Sequence, residues 1–190
     1  MPHSPDPPAE WLCAEYSPAL QLRVLALDAA ALAEPILDLG CGPSAALVRE
    51  LRRLGKDAVG LDRAQSTEPF LRVGDWLDFD LGRGRWGTVL SHMGFSNHFV
   101  HHHLRSGETA ARYARRYMQV LTALRPDGLF AYAPGLPFLE RLLPPERWAL
   151  SRHPVTELAG TAVDRQLEAA LGESVLYSCQ VRLRGAGFGR

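Results

Sequence analysis

A short run rich in small residues and opened by an acid, Asp38-Leu39-Gly40-Cys41-Gly42-Pro43-Ser44, separates an apolar stretch from an amphipathic one. Glycines at positions 40 and 42 let the backbone approach a ligand with no Cβ in the way. The next apolar stretch ends in Asp62, whose carboxylate can accept hydrogen bonds from both hydroxyls of a ribose. Asp62 follows Asp38 by 24 positions, which suits a strand, helix and second strand folded around a nucleotide-like ligand. Ligands of such sheets lie beyond the carboxyl ends of the strands, so the site is expected above Leu39, Leu61, Val73 and Ser91.

The elements that would hold these residues are legible as periodicity. Ile36 to Leu39, Ala58 to Leu61, Leu71 to Val73, Thr88 to Ser91 and Leu129 to Ala133 read as buried strands. Between the first two, Leu47, Val48, Leu51 and Leu54 form the stripe of a helix that Ser44 is expected to cap and Gly55 to stop. The clearest helix is expected from Glu108 to Leu124, with Ser106 as its cap. Ala110, Tyr113, Ala114, Tyr117, Met118, Leu121 and Leu124 lie on its inner face, and Arg112, Arg115, Arg116 and Gln119 on its outer one. Pro126-Asp127-Gly128 is a turn in which glycine is expected to take the positive φ. Ala9 to Glu34 reads as two helices broken at Pro18, and Leu136 to Leu143 as a short helix. Trp148 to Val155 and Ser174 to Leu183 read as two last strands, with a helix between them around Arg165 to Leu171. Strands alternating with helices imply an α/β fold: a Rossmann-like, doubly wound, mostly parallel sheet of seven strands. Helices cover both its faces and a helical segment precedes it. The Pro-rich residues 1–8 read as a mobile tail and 9–190 as a single domain.

Bulk composition excludes several classes. The 190 residues carry 21 basic and 21 acidic side chains, so no global field draws the chain to nucleic acid or an anionic membrane. No stretch nears the roughly 20 apolar residues of a membrane span, and the amino terminus lacks a secretory signal pattern. The three cysteines, Cys13, Cys41 and Cys179, form no CxxC pair, so neither disulfide framework nor zinc site is indicated and a cytoplasmic location is expected.

Taken in order, four segments resemble the class I S-adenosylmethionine-dependent methyltransferases. Leu37-Asp38-Leu39-Gly40-Cys41-Gly42 is similar to the family's LDLGCGxG motif, with Ser44 in place of its third glycine. Gly60-Leu61-Asp62 falls where the family keeps its ribose-binding acid, and Gly74-Asp75-Trp76 where an acid and an apolar neighbour recognise adenine. Leu124-Arg125-Pro126-Asp127-Gly128-Leu129 is similar to the LRPGG turn before strand five. The resemblance spans about Pro35 to Tyr132 and implies S-adenosylmethionine as cofactor. It assigns Asp38, Gly40 and Gly42 to the methionine part, Asp62 to the ribose, Asp75 and Trp76 to the adenine, and Ser91 to the floor. Only 13 positions separate Asp62 from Asp75, so the helix usual between strands two and three must be short or missing.

Methyl transfer from a sulfonium needs no metal; it needs the acceptor held in line with the methyl in a dry site. Where the acceptor also loses a proton, His92 beside the end of the fourth strand is the nearest base, with Tyr16 and Asn97 as acceptor-binding candidates. His98-Phe99-Val100-His101-His102-His103 invites a metal reading, but no acid or cysteine follows at ligand spacing. A polar lip over the substrate pocket, or a loop before Ser106, is expected instead, with no metal. The fourth strand lacks the Asn/Asp-Pro-Pro-aromatic loop of amino-directed nucleic-acid methylases, which turns the expectation toward a small acceptor. Trp11, Tyr16, Phe138, Leu142 and Trp148 make that acceptor partly apolar. Two alternatives stand beside this one. A nicotinamide oxidoreductase would place a glycine where Ala45 stands, and a donor-binding scaffold would hold the cofactor without turnover.

Overall fold

Side chains of a strand alternate between two faces, and here each face meets its own layer of helices. The computed structural model describes residues 16–105, 107–156, 165, 168, 169 and 171–184. Seven strands, β1 (Ile36–Leu39), β2 (Ala58–Asp62), β3 (Leu71–Val73), β4 (Trp86–His92), β5 (Leu124–Ala133), β6 (Trp148–Pro154) and β7 (Tyr177–Leu183), join in one sheet. Its order is β3-β2-β1-β4-β5-β7-β6. All neighbours pair in parallel except β7, which runs antiparallel to both β5 and β6. The chain leaves β1 toward β2 on one side and returns to β4 on the other, which opens a crevice above the ends of β1 and β4.

Helices α1 (Pro18–Val24) and α2 (Ala46–Arg53) cover one face, where Leu25, Ile36, Leu47, Leu51, Leu90 and Ala131 pack. Helices α3 (Phe95–Arg105), α4 (Glu108–Ala123) and α5 (Pro137–Glu140) adjoin the other, around Leu37, Leu39, Phe95, Tyr117 and Phe130. Among the described residues no helix is long and apolar enough to cross a membrane.

Several local expectations are corrected. Pro18 occupies the first turn of α1, where its missing N–H costs nothing, and Ser17 Oγ accepts the Leu20 N–H at 3.3 Å; the helix expected before Pro18 falls on residues outside those described. Ser44 does not cap α2. Ala45 precedes that helix in a left-handed conformation, φ +47°, because the chain is still unwinding from the bend after β1, and no side chain caps it. The expected turn lies within β5, at a register shift between Leu124 and Leu129; there the positive φ belongs to Asp127, at +61°, and Gly128 is needed for space, since a Cβ there would stand 2.8 Å from the Arg125 carbonyl oxygen. On α4, Met118 is 43% exposed while Arg116 is only 4% exposed, the reverse of the expected faces. The histidine run is no loop but lies within α3, which the apolar contacts of Phe95, Phe99 and Val100 hold to the sheet. Gly107, not Ser106, stands at the head of α4, and Ser106 lies outside the described residues, as do Trp11 and the tail. No helix forms between β2 and β3, as the short spacing requires. Positions 165, 168, 169 and 171 are helical.

Candidate functional site

The bend after β1 is shaped by two left-handed residues, Gly40 at φ +85° and Gly42 at φ +71°. Gly40 is also short of room, because a Cβ there would lie 3.0 Å from Trp76 Cζ3, while Gly42 faces open space and is needed for conformation alone. The bend is fastened to β2: Gly40 N–H donates to the Leu61 carbonyl at 2.9 Å, and Gly42 N–H to Asp62 Oδ2 at 2.9 Å. Asp62 Oδ1 accepts the Ala64 N–H at 2.9 Å, so this carboxylate stands against the bend with both oxygens oriented by backbone.

Beneath the bend lies Asp38, 2% exposed, with Oδ2 lacking any hydrogen-bond partner among the described residues. Burial, reinforced by the nearby Asp62 charge, raises its carboxyl to about 7. Burial and then the Asp38 and Asp62 charges push the Cys41 thiol far up, which disfavours its thiolate. Ser91, fully buried, donates from Oγ to the Leu39 carbonyl at 2.9 Å and accepts the Phe95 N–H at 3.0 Å. Its hydroxyl therefore ties β4 to β1 and caps the start of α3.

Beyond β4 the chain turns at Met93, φ +53°. His92 meets the Tyr16 ring edge to face at 4.8 Å, and burial lowers its imidazole to about 4, so it is neutral at pH 7. Tyr16, Gln21, Gly40, Gly42, His92 and Met93 line a cavity of about 50 Å³ together with their neighbours. That is room for a few waters, against the several hundred Å³ of a typical ligand pocket.

Asp75, Trp76 and Asn97 do not line this cavity, although the Trp76 ring abuts Gly40 of its wall. Asp75 Oδ1 accepts the Leu77 N–H at 2.8 Å. Trp76 is buried, with the Arg63 guanidinium 5.5 Å from its ring centre and the His98 ring edge to face at 5.3 Å. Asn97 is half-buried in the first turn of α3. Four expected residues, Tyr16, Gly40, Gly42 and His92, thus converge, while Asp62 joins through the Gly42 N–H. Sequence reading missed Gln21, Arg63, Met93 and Gly94, and took His98 only as part of a run that invites a metal or forms a lip. Residue type does not mark the missed ones, because the packing of distant elements brings them in. Of the apolar residues expected around an acceptor, Trp148 is in the core and Leu142 is on the surface, while Phe138 stacks flat on His103 at 3.7 Å. The other histidines of α3 are likewise used as rings: His102 stacks on Tyr113 at 5.2 Å, and burial lowers His101, His102 and His103. Among the described residues no cluster of three or more His, Cys, Asp or Glu could hold a metal.

No family model and no protein of curated function matches the sequence. Solved structures do match in shape. The glycopeptide N-methyltransferase MtfA, solved with S-adenosyl-L-homocysteine, shares 15% identity over 89% of this chain and 91% of its own, with a TM-score of 0.55. The plantazolicin methyltransferase BpumL, also solved with the demethylated donor, shares 13% identity over 88% and 83%, with a TM-score of 0.53. The [4+2]-cyclase SpnF shares 14% identity over 89% and 80%, with a TM-score of 0.52. At such identities the likeness speaks for the fold, and the fold hosts more than one reaction. Motifs, strand order and these neighbours agree: the chain has the fold of the class I S-adenosylmethionine-dependent methyltransferases.

Proposed function

We propose that this chain binds S-adenosylmethionine and transfers its methyl group to a small, partly apolar acceptor in the cytoplasm. The observation that carries the reading is the bend itself. Two left-handed glycines lie over a buried carboxylate with an unpartnered oxygen, and a second carboxylate stands against the same backbone. The orphaned Asp38 oxygen suits the donor's ammonium group, and the glycine backbone at 40 and 42 suits a group that must approach closely. Asp62 would take the ribose hydroxyls with its remaining lone pairs, Asp75 and Trp76 the adenine, and Ser91 would hold the floor rigid. The cofactor supplies an electrophilic methyl on a sulfonium when bound.

The chain's own residues supply position and dryness. Gly40, Gly42 and Met93 shape the wall of the cavity, and Tyr16 closes over His92. His92, neutral throughout the physiological range, would accept the acceptor's proton or hydrogen bond, with Tyr16 and Asn97 binding the acceptor. A charge balance of 21 against 21 fits a small acceptor better than nucleic acid.

Calorimetry with S-adenosylmethionine and S-adenosyl-L-homocysteine tests the reading: both are expected to bind, and a folded chain that binds neither ends it. The sheet order speaks against the nicotinamide alternative. The dinucleotide fold has its sixth strand beside the fifth, whereas here β7 is inserted antiparallel between β5 and β6. A scaffold that holds the donor without turnover is separated by product formation from labelled donor and a mixture of candidate acceptors.

A further inference from the structure

Arg116 lies in the middle of α4 on the stripe that also carries Tyr113, Tyr117 and Val120, where an apolar residue would pack at less cost in desolvation. The residue is 4% exposed, yet the hydrogen bonds of its guanidinium go to two backbone carbonyls and a side-chain amide instead of a carboxylate. Nε donates to the Trp76 carbonyl, Nη2 to the Phe79 carbonyl, and Nη1 to Gln119 Oε1 at 2.9 Å. Those carbonyls belong to a single tight turn. In it the Asp78 and Phe79 N–H groups donate to the Asp75 carbonyl at 3.1 and 3.0 Å, and the Leu77 N–H to Asp75 Oδ1 at 2.8 Å. One isolated turn leaves its later carbonyls without helical partners, and the fork of an arginine reaches two of them at once, which a lysine ammonium does less well. The turn carries Asp75 and Trp76, and the Trp76 ring closes against Gly40 of the bend.

We propose that Arg116 is a positioning residue for the adenine end of the donor site. It touches no ligand, but by fixing the turn from Asp75 to Phe79 it sets the Asp75 carboxylate and the Trp76 ring relative to the glycine bend. This rests on the donor-binding reading above.

Calorimetric titration of wild type, Arg116→Met and Arg116→Lys with S-adenosyl-L-homocysteine and with 5′-methylthioadenosine, beside a thermal melt of each, tests it. Arg116→Met is expected to weaken both ligands by the same factor, at least about tenfold, because the loss lies on the adenosine they share. Arg116→Lys is expected to recover part of it by keeping one carbonyl bond. A residue with only a structural role would lower the melting temperature and leave affinity alone. Folded Arg116→Met that binds the homocysteine ligand within twofold of wild type overturns the inference, as does a loss absent for 5′-methylthioadenosine. If the methionine variant does not fold, the lysine variant decides by the same twofold criterion. Wild-type protein that binds neither ligand brings down the donor reading itself, a result distinct from an unchanged variant.

Discussion

Asp38 shows what a buried, unpartnered carboxylate under the bend costs the fold. Its carboxyl stands near 3.8 in the unfolded chain and about 7 in the folded one, because burial and Asp62 both oppose its charge. Protons are therefore held by the folded state and not the unfolded state between those values, and stability falls as pH rises through that window. The loss approaches about 4 kcal/mol by pH 7 and levels off above it, an order-of-magnitude figure from the size of the shift. Urea unfolding between pH 5 and pH 8 is expected to show this decline, and Asp38→Asn to flatten it; an unchanged slope in the variant would place the effect elsewhere. Gly40 carries a second residue-scale prediction. In Gly40→Ala the new Cβ must sit at φ +85° and 3.0 Å from the Trp76 ring. The conformation alone costs roughly 1–2 kcal/mol, and the displaced ring should weaken S-adenosyl-L-homocysteine several-fold in calorimetry.

At the scale of elements, the site depends on how β4 hands the chain to α3. Ser91 is the joint, since one hydroxyl both donates to the Leu39 carbonyl of β1 and accepts the first N–H of α3. Ser91→Ala leaves two buried backbone groups without that partner, so a stability loss of about 1–3 kcal/mol is expected in chemical denaturation. The start of α3 should then exchange its amide hydrogens faster, and even protection across residues 95–99 would contradict the assigned role. The histidines of α3 show why residue type is a poor guide here. Their rings act as aromatic packing against Tyr113 and Phe138, and burial lowers their imidazoles.

Across the whole molecule, the segment after β5 is tied to the antiparallel end of the sheet through Glu140. This carboxylate is 2% exposed and accepts from Tyr132 Oη at 3.0 Å and Leu136 N at 2.7 Å on one oxygen. On the other it accepts from Arg152 Nε and Tyr177 Oη, both at 2.8 Å. It thus joins β5, α5, β6 and β7. Glu140→Ala strands three side-chain donors and is expected to cost about 3 kcal/mol, with Glu140→Gln costing less because two acceptor positions survive. Equilibrium denaturation of the two variants checks the order, and equal losses would show that charge, not hydrogen bonding, sets the cost.

Local grammar was enough to place the glycine bend, the first five strands and the missing or shortened helix between β2 and β3. A left-handed turn demands glycine at its own position, and a buried strand announces itself by its own apolar run. Four features depended on partners distant in sequence and so were hidden: the burial of Arg116, the helicity of the histidine run, the antiparallel insertion of β7, and the opposite protonation shifts of Asp38 and His92. Each is set by what packs above or beside the residue. Periodicity reports which face of an element is apolar, but only the assembled layers decide what that face meets and how much water is left there.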